Sequence, residues 1–294
     1  MREKIEYALV RLFLGLAKIM PARLVYLITG MFARLLYRFD RKRRRITCTN
    51  LANAFPEKSH DEIVELSKSV YASVGETVAE ILLMFVDRFD PDNAVINAKE
   101  ASEKLQQLTQ KSDKGIVVVT AHFSNWELAA HFLAKHGLPM LAIGREGNNK
   151  LIDKHITVPF RNKYGNRATT KKKAMLAMAK ALKQGSAVGL LIDQKAGEIN
   201  SVKVDFFGMP AETTLSVAML KEKFDPLVVP IFIARESRGK YRMIIEEPID
   251  DTEDEIENIQ KRLERMTQEY TAAIERVIRK YPEQWFWMHN RWRI

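Results

Sequence analysis

The stretch "GIVVVTAHFSNWELAAHFLAKHG" (residues 115–137) decides the fold, because it joins a wholly apolar run to an amphipathic one. The run Ile116–Thr120 has the length and apolar character of a buried strand. The following segment, from about Ser124 to His136, carries apolar residues at helical spacing and predicts a helix. Between the two lies a short polar cluster, which places an imidazole (His122) and a carboxylate (Glu127) at the end of the strand.

The rest of the chain continues this alternation of apolar strands and helices. Further strands are predicted at Pro139–Ile143, Ala187–Ile192, Leu227–Ile233 and residues 241–247, and helices at a segment ending near Phe85, a segment ending at Tyr164, Lys172–Lys183, Ser216–Lys223 and Glu253–Lys280. Residues 50–63 predict a loop that leads into a helix, and residues 90–93 predict a turn. This order favours an α/β fold with a mostly parallel core sheet flanked by helices.

Reactive side chains in such sheets gather at the carboxyl ends of the strands. His122 and Asp193 each follow a predicted strand directly. The spacing of His122 and Glu127 is also informative, because five residues on a continuous helix rotate by about 500° and leave the side chains ~140° apart. The two can therefore meet only if the helix begins between them.

Ser124 and Glu127 fit a capping box, with Ser124 as the N-cap residue. We therefore expect His122 in the loop and Glu127 folded back toward it. A carboxylate on one ring nitrogen would fix the tautomer and leave the other nitrogen as a base. The residues alone leave a second interpretation equally open, in which Glu127 only caps the helix and His122 only packs.

Other reactive groups in the chain give weaker signals. His131 and His136 have no acidic partner at helical spacing, so we expect packing and surface roles for them. No spacing of Cys, His and Asp predicts a metal site. The single cysteine, Cys48, excludes a disulfide framework and favours chemistry that faces the cytosol.

Length and charge divide the chain unequally. Its 294 residues suit one large domain with an appendage, or two domains. Residues 1–45 contain 12 Lys and Arg against 3 Asp and Glu, a net charge of +9, whereas the remaining residues are nearly neutral. We therefore predict a membrane-anchoring segment at 1–45 and a catalytic domain at 46–294. The basic residues of this segment are interspersed with apolar residues rather than polar ones, and this pattern disfavours nucleic acid as a partner.

The basic segment reads as two helices broken at Pro21. Its longest uncharged run, Leu24–Ala33, is well short of the ~20 residues needed to span a bilayer. We expect a helical hairpin that lies on anionic lipid, with Arg41–Arg45 at the headgroups. A single spanning helix and a helix pair docked on the protein's own core remain as alternatives.

Several sequence blocks resemble a known family. "HFSNWE" (122–127) is similar to the H-x4-D/E block of glycerolipid and lipid A acyltransferases, and its form with Gly in place of Ser124 is typical of the late acyltransferases of bacterial lipid A biosynthesis. Further blocks follow in the family's order: "IGREGNN" (143–149), "RNKYGNR" (161–167), "LIDQKAGEINSVKVDFFGMPAETTLS" (191–216), "VVPIFIAR" (228–235) and "YPEQWFWMHNRW" (281–292). The resemblance covers nearly the whole chain. Ser124 and "LSVAMLKEKF" (215–224) depart from the family pattern.

The resemblance implies an enzyme that moves a fatty acyl chain from acyl carrier protein to a hydroxyl of a Kdo-bearing lipid A precursor. His122 is then expected to be the general base, oriented by Glu127, and Arg161 is expected to stabilise the thioester oxyanion or a phosphate. The remaining residues that the resemblance assigns to substrate binding are Arg145, Asp193, Asn125, Phe206 and Phe207. Asp193 is expected to hold a substrate group or an arginine.

The resemblance also implies no cofactor, since the thioester supplies the activation. It places the enzyme at the inner membrane with the catalytic domain on the cytoplasmic side. The basic run Lys171–Lys173 is a candidate docking site for the acidic carrier protein. The tail with Trp285, Trp287 and Trp292 suits either an interface near lipid or a seal over the core. Two other functions stay open: a lysophospholipid or glycerol-phosphate acyltransferase, and a basic module that binds membranes or nucleic acid.

Overall fold

The computed structural model describes residues 1–144, 147–170, 174–197, 199–249 and 258–292. The helices of the described chain are α1 Arg2–Ile19, α2 Ala22–Phe39, α3 Arg41–Ala54, α4 His60–Phe85, α5 Pro91–Ala94, α6 Ala98–Lys111, α7 Trp126–Lys135, α8 Lys150–Ile152, α9 Val158–Arg161, α10 Ala174–Lys183, α11 Ser216–Phe224 and α12 Ile259–Lys280. The strands are β1 Ile116–Thr120, β2 Met140–Gly144, β3 Arg167–Thr170, β4 Ala187–Leu191, β5 Ser201–Phe206, β6 Met209–Thr214, β7 Leu227–Ser237 and β8 Lys240–Ile245.

Six strands form one sheet in the order β3-β2-β4-β1-β7-β8. All neighbouring pairs are parallel except β7 and β8, which form an antiparallel hairpin at the edge. Strand β1 lies at the centre, where Thr120 pairs with Leu191 of β4 and Ile116 pairs with Leu227 of β7. The remaining two strands, β5 and β6, form a separate antiparallel hairpin. The predicted α/β class with a mostly parallel sheet is confirmed.

Helices cover both faces of the sheet. Successive residues of β1 point to opposite faces, as the pleat requires. Val117 and Val119 belong to a core shared with α10, α11 and α12, whereas Ile116 and Val118 belong to a core shared with α6 and α7. All four side chains are buried. This two-sided burial explains why the strand reads as a continuous apolar run.

The N-terminal helices α1 and α2 are separated at Pro21, as predicted. Helix α2 packs on α4 through Val25, Thr29 and Ala33, and Gly75 of α4 meets this stripe so closely that an added Cβ would lie 3.0 Å from Ala33 Cβ. The opposite faces of both helices carry exposed apolar side chains: Ile5, Leu9, Leu12, Phe13, Leu16, Ile19, Leu24, Leu27, Met31, Phe32, Leu35, Leu36 and Phe39. Nowhere in the described ranges is a helix both long and apolar enough to cross a bilayer.

Several local predictions were wrong. Residues 50–54 belong to helix α3 rather than to a loop, and Pro91–Ala94 forms a short helix rather than a plain turn. The predicted continuous helix to Tyr164 is instead broken into α8, a π-helical turn at Asp153–Thr157 and α9, and Tyr164 has a positive φ. Strands β3, β5 and β6 were not predicted, because their short, polar or Thr-rich segments lack an apolar run.

Candidate active site

His122 and Asp193 lie side by side at the carboxyl edge of the sheet. Thr120 of β1 pairs with Leu191 of β4, and each of the two residues follows its strand at the same offset of two positions. His122 Nδ1 is 2.9 Å from Asp193 Oδ1, and the His122 backbone N–H donates to Oδ2 at 3.1 Å. The Asp193 side chain is 1% exposed and that of His122 is 27% exposed. The imidazole is therefore anchored on one side and open to solvent in part.

Asp193 is held as a carboxylate. Trp285 Nε1–H donates to its Oδ2 at 2.8 Å, in addition to the two contacts from His122. Burial acts to raise the pKa of Asp193, but the charge and hydrogen bonds of His122 and the bond from Trp285 outweigh it, so this pKa lies below its ordinary value. Because an ionised carboxylate only accepts hydrogen bonds, Nδ1 of His122 carries a proton. The second ring nitrogen, Nε2, has no hydrogen-bond partner among the described residues.

The C-terminal tail holds the His122 loop by backbone pairing. Phe123 and Trp285 form an antiparallel bridge. The Ser124 N–H donates to the Gln284 carbonyl at 2.7 Å, and the Phe286 N–H donates to the His122 carbonyl at 3.1 Å. The ring of Trp126 meets the His122 ring edge-on, with 5.2 Å between centroids. Loop, tail and helix α7 therefore fix the backbone and the ring of His122 together.

The predicted capping box is wrong. Ser124 has a φ of 51°, in the left-handed region that favours glycine, rather than the extended conformation of an N-cap residue. The N-cap is Asn125, whose Oδ1 accepts from the Leu128 N–H at 3.1 Å. Asn125 is fully buried, and its amide Nδ2 faces Glu80 Oε2 at 3.4 Å. In the structure Asn125 caps helix α7.

Glu127 pairs with Arg161 and not with His122, so the predicted contact between the imidazole and the acid of the H-x4-E block is corrected. Glu127 Oε1 accepts from Arg161 Nε at 3.0 Å and from Nη2 at 2.6 Å. The acid sits in the first turn of α7 and the arginine ends α9. The Arg161 side chain is 36% exposed, and its Nη1 approaches Gly144 at the carboxyl end of β2.

The His122–Asp193 and Arg161–Glu127 pairs face the same edge of the sheet. Strand β4 lies between β1 and β2, and neighbouring strands are about 4.8 Å apart. The carboxyl ends of β1 and β2, which carry His122 and the Arg161 guanidinium, are therefore about 10 Å apart. Asp193 lies between them at the end of β4. This arrangement places an imidazole and a guanidinium at the same edge of the sheet, with a buried carboxylate between them.

The other predicted site residues fall into two groups. Phe206 and Phe207 are buried in an aromatic cluster with Trp285, Trp287 and Trp292, so they form core and do not line an open groove. Arg145 and Lys171–Lys173 lie outside the described residues.

The two other histidines, in helix α7 and at its C-terminal end, contribute to packing and to the surface and lie outside the site. His131 is buried against the Phe160 carbonyl, and His136 pairs with Asp92 at the surface, as predicted.

Of the two alternatives for the tail, the seal over the core is observed. Arg291, which is buried, donates to the Glu212 carbonyl and to Thr213 of hairpin β5–β6. Burial lowers the pKa of Arg291 to about 10.

Sequence reasoning missed Trp285 as a partner of Asp193, and it gave Asp193 a contact with substrate or arginine instead of His122. One available signal was that His122 and Asp193 each follow a predicted apolar strand. The two side chains come together because β1 and β4 are neighbours, with Thr120 paired to Leu191. Nothing local in the sequence indicates the contact with Trp285, which lies 92 residues away.

The H-x4-E block, with His122 in the loop after a central parallel strand and Glu127 in the first turn of the next helix, is the feature by which the chain resembles the H-x4-D/E acyltransferases. Within this class, the chain belongs to the bacterial lipid A biosynthesis acyltransferase family, whose profile matches residues 2–294. It is an acyltransferase of lipid A biosynthesis.

Three relatives illustrate the extent of the similarity. The chain is 28% identical over 283 residues to the lipid A biosynthesis lauroyltransferase of Escherichia coli K12, which covers 93% of this chain and 87% of the relative. It is 27% identical over 255 residues to a lipid A biosynthesis acyltransferase of Haemophilus influenzae, covering 86% and 78%. The lipid A biosynthesis palmitoleoyltransferase of Escherichia coli K12 is 26% identical over 262 residues, covering 87% and 80%.

Proposed function

We propose that the protein transfers a fatty acyl chain from acyl carrier protein to a hydroxyl of a Kdo-bearing lipid A precursor, with His122 as general base. The observation that carries this proposal is the anchored imidazole. Nδ1 is committed to Asp193, which leaves Nε2 available at a partly exposed position. An alcohol is a weak nucleophile, and a positioned base accelerates its attack by about 10²–10⁴-fold.

The proposed reaction balances within the site. Nε2 of His122 takes the hydroxyl proton as the alcohol oxygen attacks the thioester carbonyl, and the carbonyl oxygen becomes an oxyanion. Collapse of the tetrahedral intermediate breaks the carbon–sulfur bond, and the imidazolium returns the proton to the departing thiolate. Asp193 stabilises the imidazolium in the interval, because its ionised carboxyl group lies 2.9 Å from Nδ1.

In this mechanism Arg161 stabilises the oxyanion or an anionic group of the substrate. Glu127 holds the guanidinium through a single oxygen, Oε1, which accepts from both Nε and Nη2. Nη1 has no acceptor among the described residues, so it is the donor that we assign to the substrate. The acid of the H-x4-E block thus acts by positioning the arginine.

We also propose that the exposed apolar faces of α1 and α2 lie on the cytoplasmic surface of the inner membrane. Side chains such as Leu12, Phe13 and Phe32 are more than half exposed, and removing such area from water is favourable by about 25 cal/mol per Å². Replacing Leu12 and Phe13 by Ser should abolish co-sedimentation with anionic vesicles. The matched replacement of Leu176 and Ile199, which are exposed elsewhere, should leave it unchanged; equal loss in both variants would contradict this attachment.

The acceptor and donor are tested together in solution. Purified protein is incubated with acyl-carrier-protein thioesters of several chain lengths and with either a Kdo-bearing lipid A precursor or a lysophospholipid, and the products are analysed by mass spectrometry. The proposal predicts one added acyl group on the lipid A precursor only. Transfer to the lysophospholipid, with none to the lipid A precursor, would refute the proposed acceptor. Lipid A from cells with and without the gene gives the acceptor position and the chain length.

A further inference from the structure

A basic pocket of about 830 Å³ lies between helix α3 and the C-terminal tail, apart from the two ion pairs of the active site. Four cationic side chains line it: Arg41, Lys42, Arg44 and Arg45. The rest of its lining is Ile46, Cys48, Thr49, Asn50 and Asn290, so no acidic side chain contributes. Because four cationic side chains and no acidic side chain line the pocket, we expect it to bind an oxyanion such as a phosphate.

The pocket is joined to the active site through the tail. Asn50 Nδ2 donates to the Trp287 carbonyl at 2.9 Å and to the His289 carbonyl at 2.8 Å, which fixes the tail against α3. His289 Nε2 in turn accepts from the Lys195 N–H at 3.0 Å. Lys195 is two residues beyond Asp193, a span of at most about 7 Å. These contacts join the pocket lining to the loop that carries Asp193.

The pocket is also next to the apolar face of α2. Leu35, Leu36 and Phe39 at the end of α2 are exposed, and α3 begins two residues after Phe39. Arg44 spans the junction, because its Nη1 donates to the carbonyls of Tyr37 at 2.7 Å and Arg38 at 3.0 Å. An amphiphile can thus place acyl chains along α2 and its anionic headgroup among the basic side chains.

We propose that this pocket binds a phosphate of the acceptor glycolipid and so holds its headgroup within reach of His122. This inference rests on the proposed function. The phosphate contacts are charge-assisted, and Arg and Lys side chains are the groups that proteins use for them. Arg41 and Arg45 are exposed and take part in no hydrogen bond or ion pair with another described side chain, so they are available to the phosphate.

The test measures equilibrium binding of the full chain, in neutral detergent micelles, to a phosphorylated lipid A precursor and to the same precursor after phosphatase treatment. The wild-type protein should bind the phosphorylated form at least tenfold more tightly. The variant with Arg41→Gln and Arg45→Gln should lose this preference. The matched control, with Lys99→Gln and Lys111→Gln on α6, removes the same charge from exposed positions and should keep the preference.

Three results would overturn the proposal: a preference retained in the pocket variant, an equal loss in the α6 control, or displacement of the lipid by inorganic phosphate at tenfold the lipid concentration. The last result would assign the pocket to free phosphate. Circular dichroism and thermal unfolding confirm that both variants fold. Acyl transfer is measured on the same samples: a wild type that binds with phosphate preference but transfers nothing refutes the proposed function alone, whereas an active enzyme without the preference refutes this inference alone.

Discussion

The His122–Asp193 and Arg161–Glu127 pairs differ in how far the protein encloses them. The His122–Asp193 pair is tied to three segments, because the loop after β1, the loop after β4 and the C-terminal tail all contribute hydrogen bonds to the Asp193 carboxylate or to the His122 backbone. The Arg161–Glu127 pair joins only α7 and α9, and the arginine side chain is 36% exposed. The contacts of Asp193 fix the orientation of the His122 ring, whereas the Arg161 guanidinium keeps N–H donors that a ligand can use.

This difference gives each carboxylate a separate task. Asp193 is almost fully buried and ionised, so removing its charge changes the tautomer and the basicity of one imidazole. The Glu127 side chain is 12% exposed, but its partner Arg161 is 36% exposed, so removing the charge of Glu127 frees an arginine that water can also solvate. Substitutions at the enclosed pair should therefore have the larger effects on acyl transfer.

The largest effect is expected for His122→Ala. Loss of the general base should lower kcat for acyl transfer by about 10²–10⁴-fold. The free energy of unfolding should also fall, because the buried Asp193 carboxylate loses its imidazole partner. His136→Ala is the control, since that ring pairs with Asp92 at the surface and should leave kcat unchanged. A folded His122→Ala protein with wild-type turnover would eliminate His122 as the base.

Asp193→Asn should have the next largest effect. The amide keeps the shape and can still accept from Trp285, but it no longer stabilises the imidazolium, so kcat should fall by about 10²-fold while KM changes little. Steady-state kinetics separate the two parameters. A change confined to KM would show that Asp193 contacts the substrate instead of positioning the imidazole.

A smaller effect is expected for Glu127→Gln. The arginine stays charged but loses its anchoring carboxylate, so acyl transfer should fall by about tenfold, less than the 10²–10³-fold typical of removing an oxyanion donor outright. Asp92→Asn provides a matched control, because this acid pairs with Lys135 and His136 at the surface. If Glu127→Gln proves as damaging as Asp193→Asn, the division of tasks between the two carboxylates is wrong.

The smallest effect concerns stability in acid. The pKa of Asp193 in the folded protein is below its ordinary value. Its contribution to stability is therefore present above the unfolded pKa of about 3.9 and is lost as the pH falls through the lower folded pKa. Urea unfolding at pH 6 and pH 3 should show a smaller loss of unfolding free energy for Asp193→Asn than for the wild type. An equal loss in both proteins would contradict the assigned ionisation.

The central sheet was predictable because a strand that is buried on both faces appears in the sequence as a continuous apolar run. Strand β1 was predicted with its observed bounds, Ile116–Thr120, and β4 and β7 with their observed first residues. The hairpin β5–β6 was not predicted, because it packs through only one face and its strands read Ser201–Phe206 and Met209–Thr214, with charged and small residues interleaved. Its support comes from α12 and from the distant tail, which no local pattern reveals.

The site was predictable in its residue types but not in its pairings. His122, Glu127, Arg161 and Asp193 all gather at the carboxyl edge of the sheet, which the strand positions and the family blocks indicated. The partner of Glu127 was not predicted correctly, because Ser124 has a left-handed backbone conformation and does not cap the helix. Helix α7 begins at Trp126, and Glu127 in its first turn contacts Arg161. The serine itself does not reveal the positive φ, but the glycine typical of the family at this position was an available signal, because glycine adopts a positive φ readily.

The most direct test is a double-mutant cycle on the chemical step. Single-turnover acyl transfer is measured for the wild type, His122→Ala, Asp193→Asn and the combined variant. If Asp193 acts only through His122, the combined variant is as slow as His122→Ala alone. A rate reduced by the product of the two single effects would show that the carboxylate and the imidazole act independently, and would contradict the paired base at the edge of the sheet.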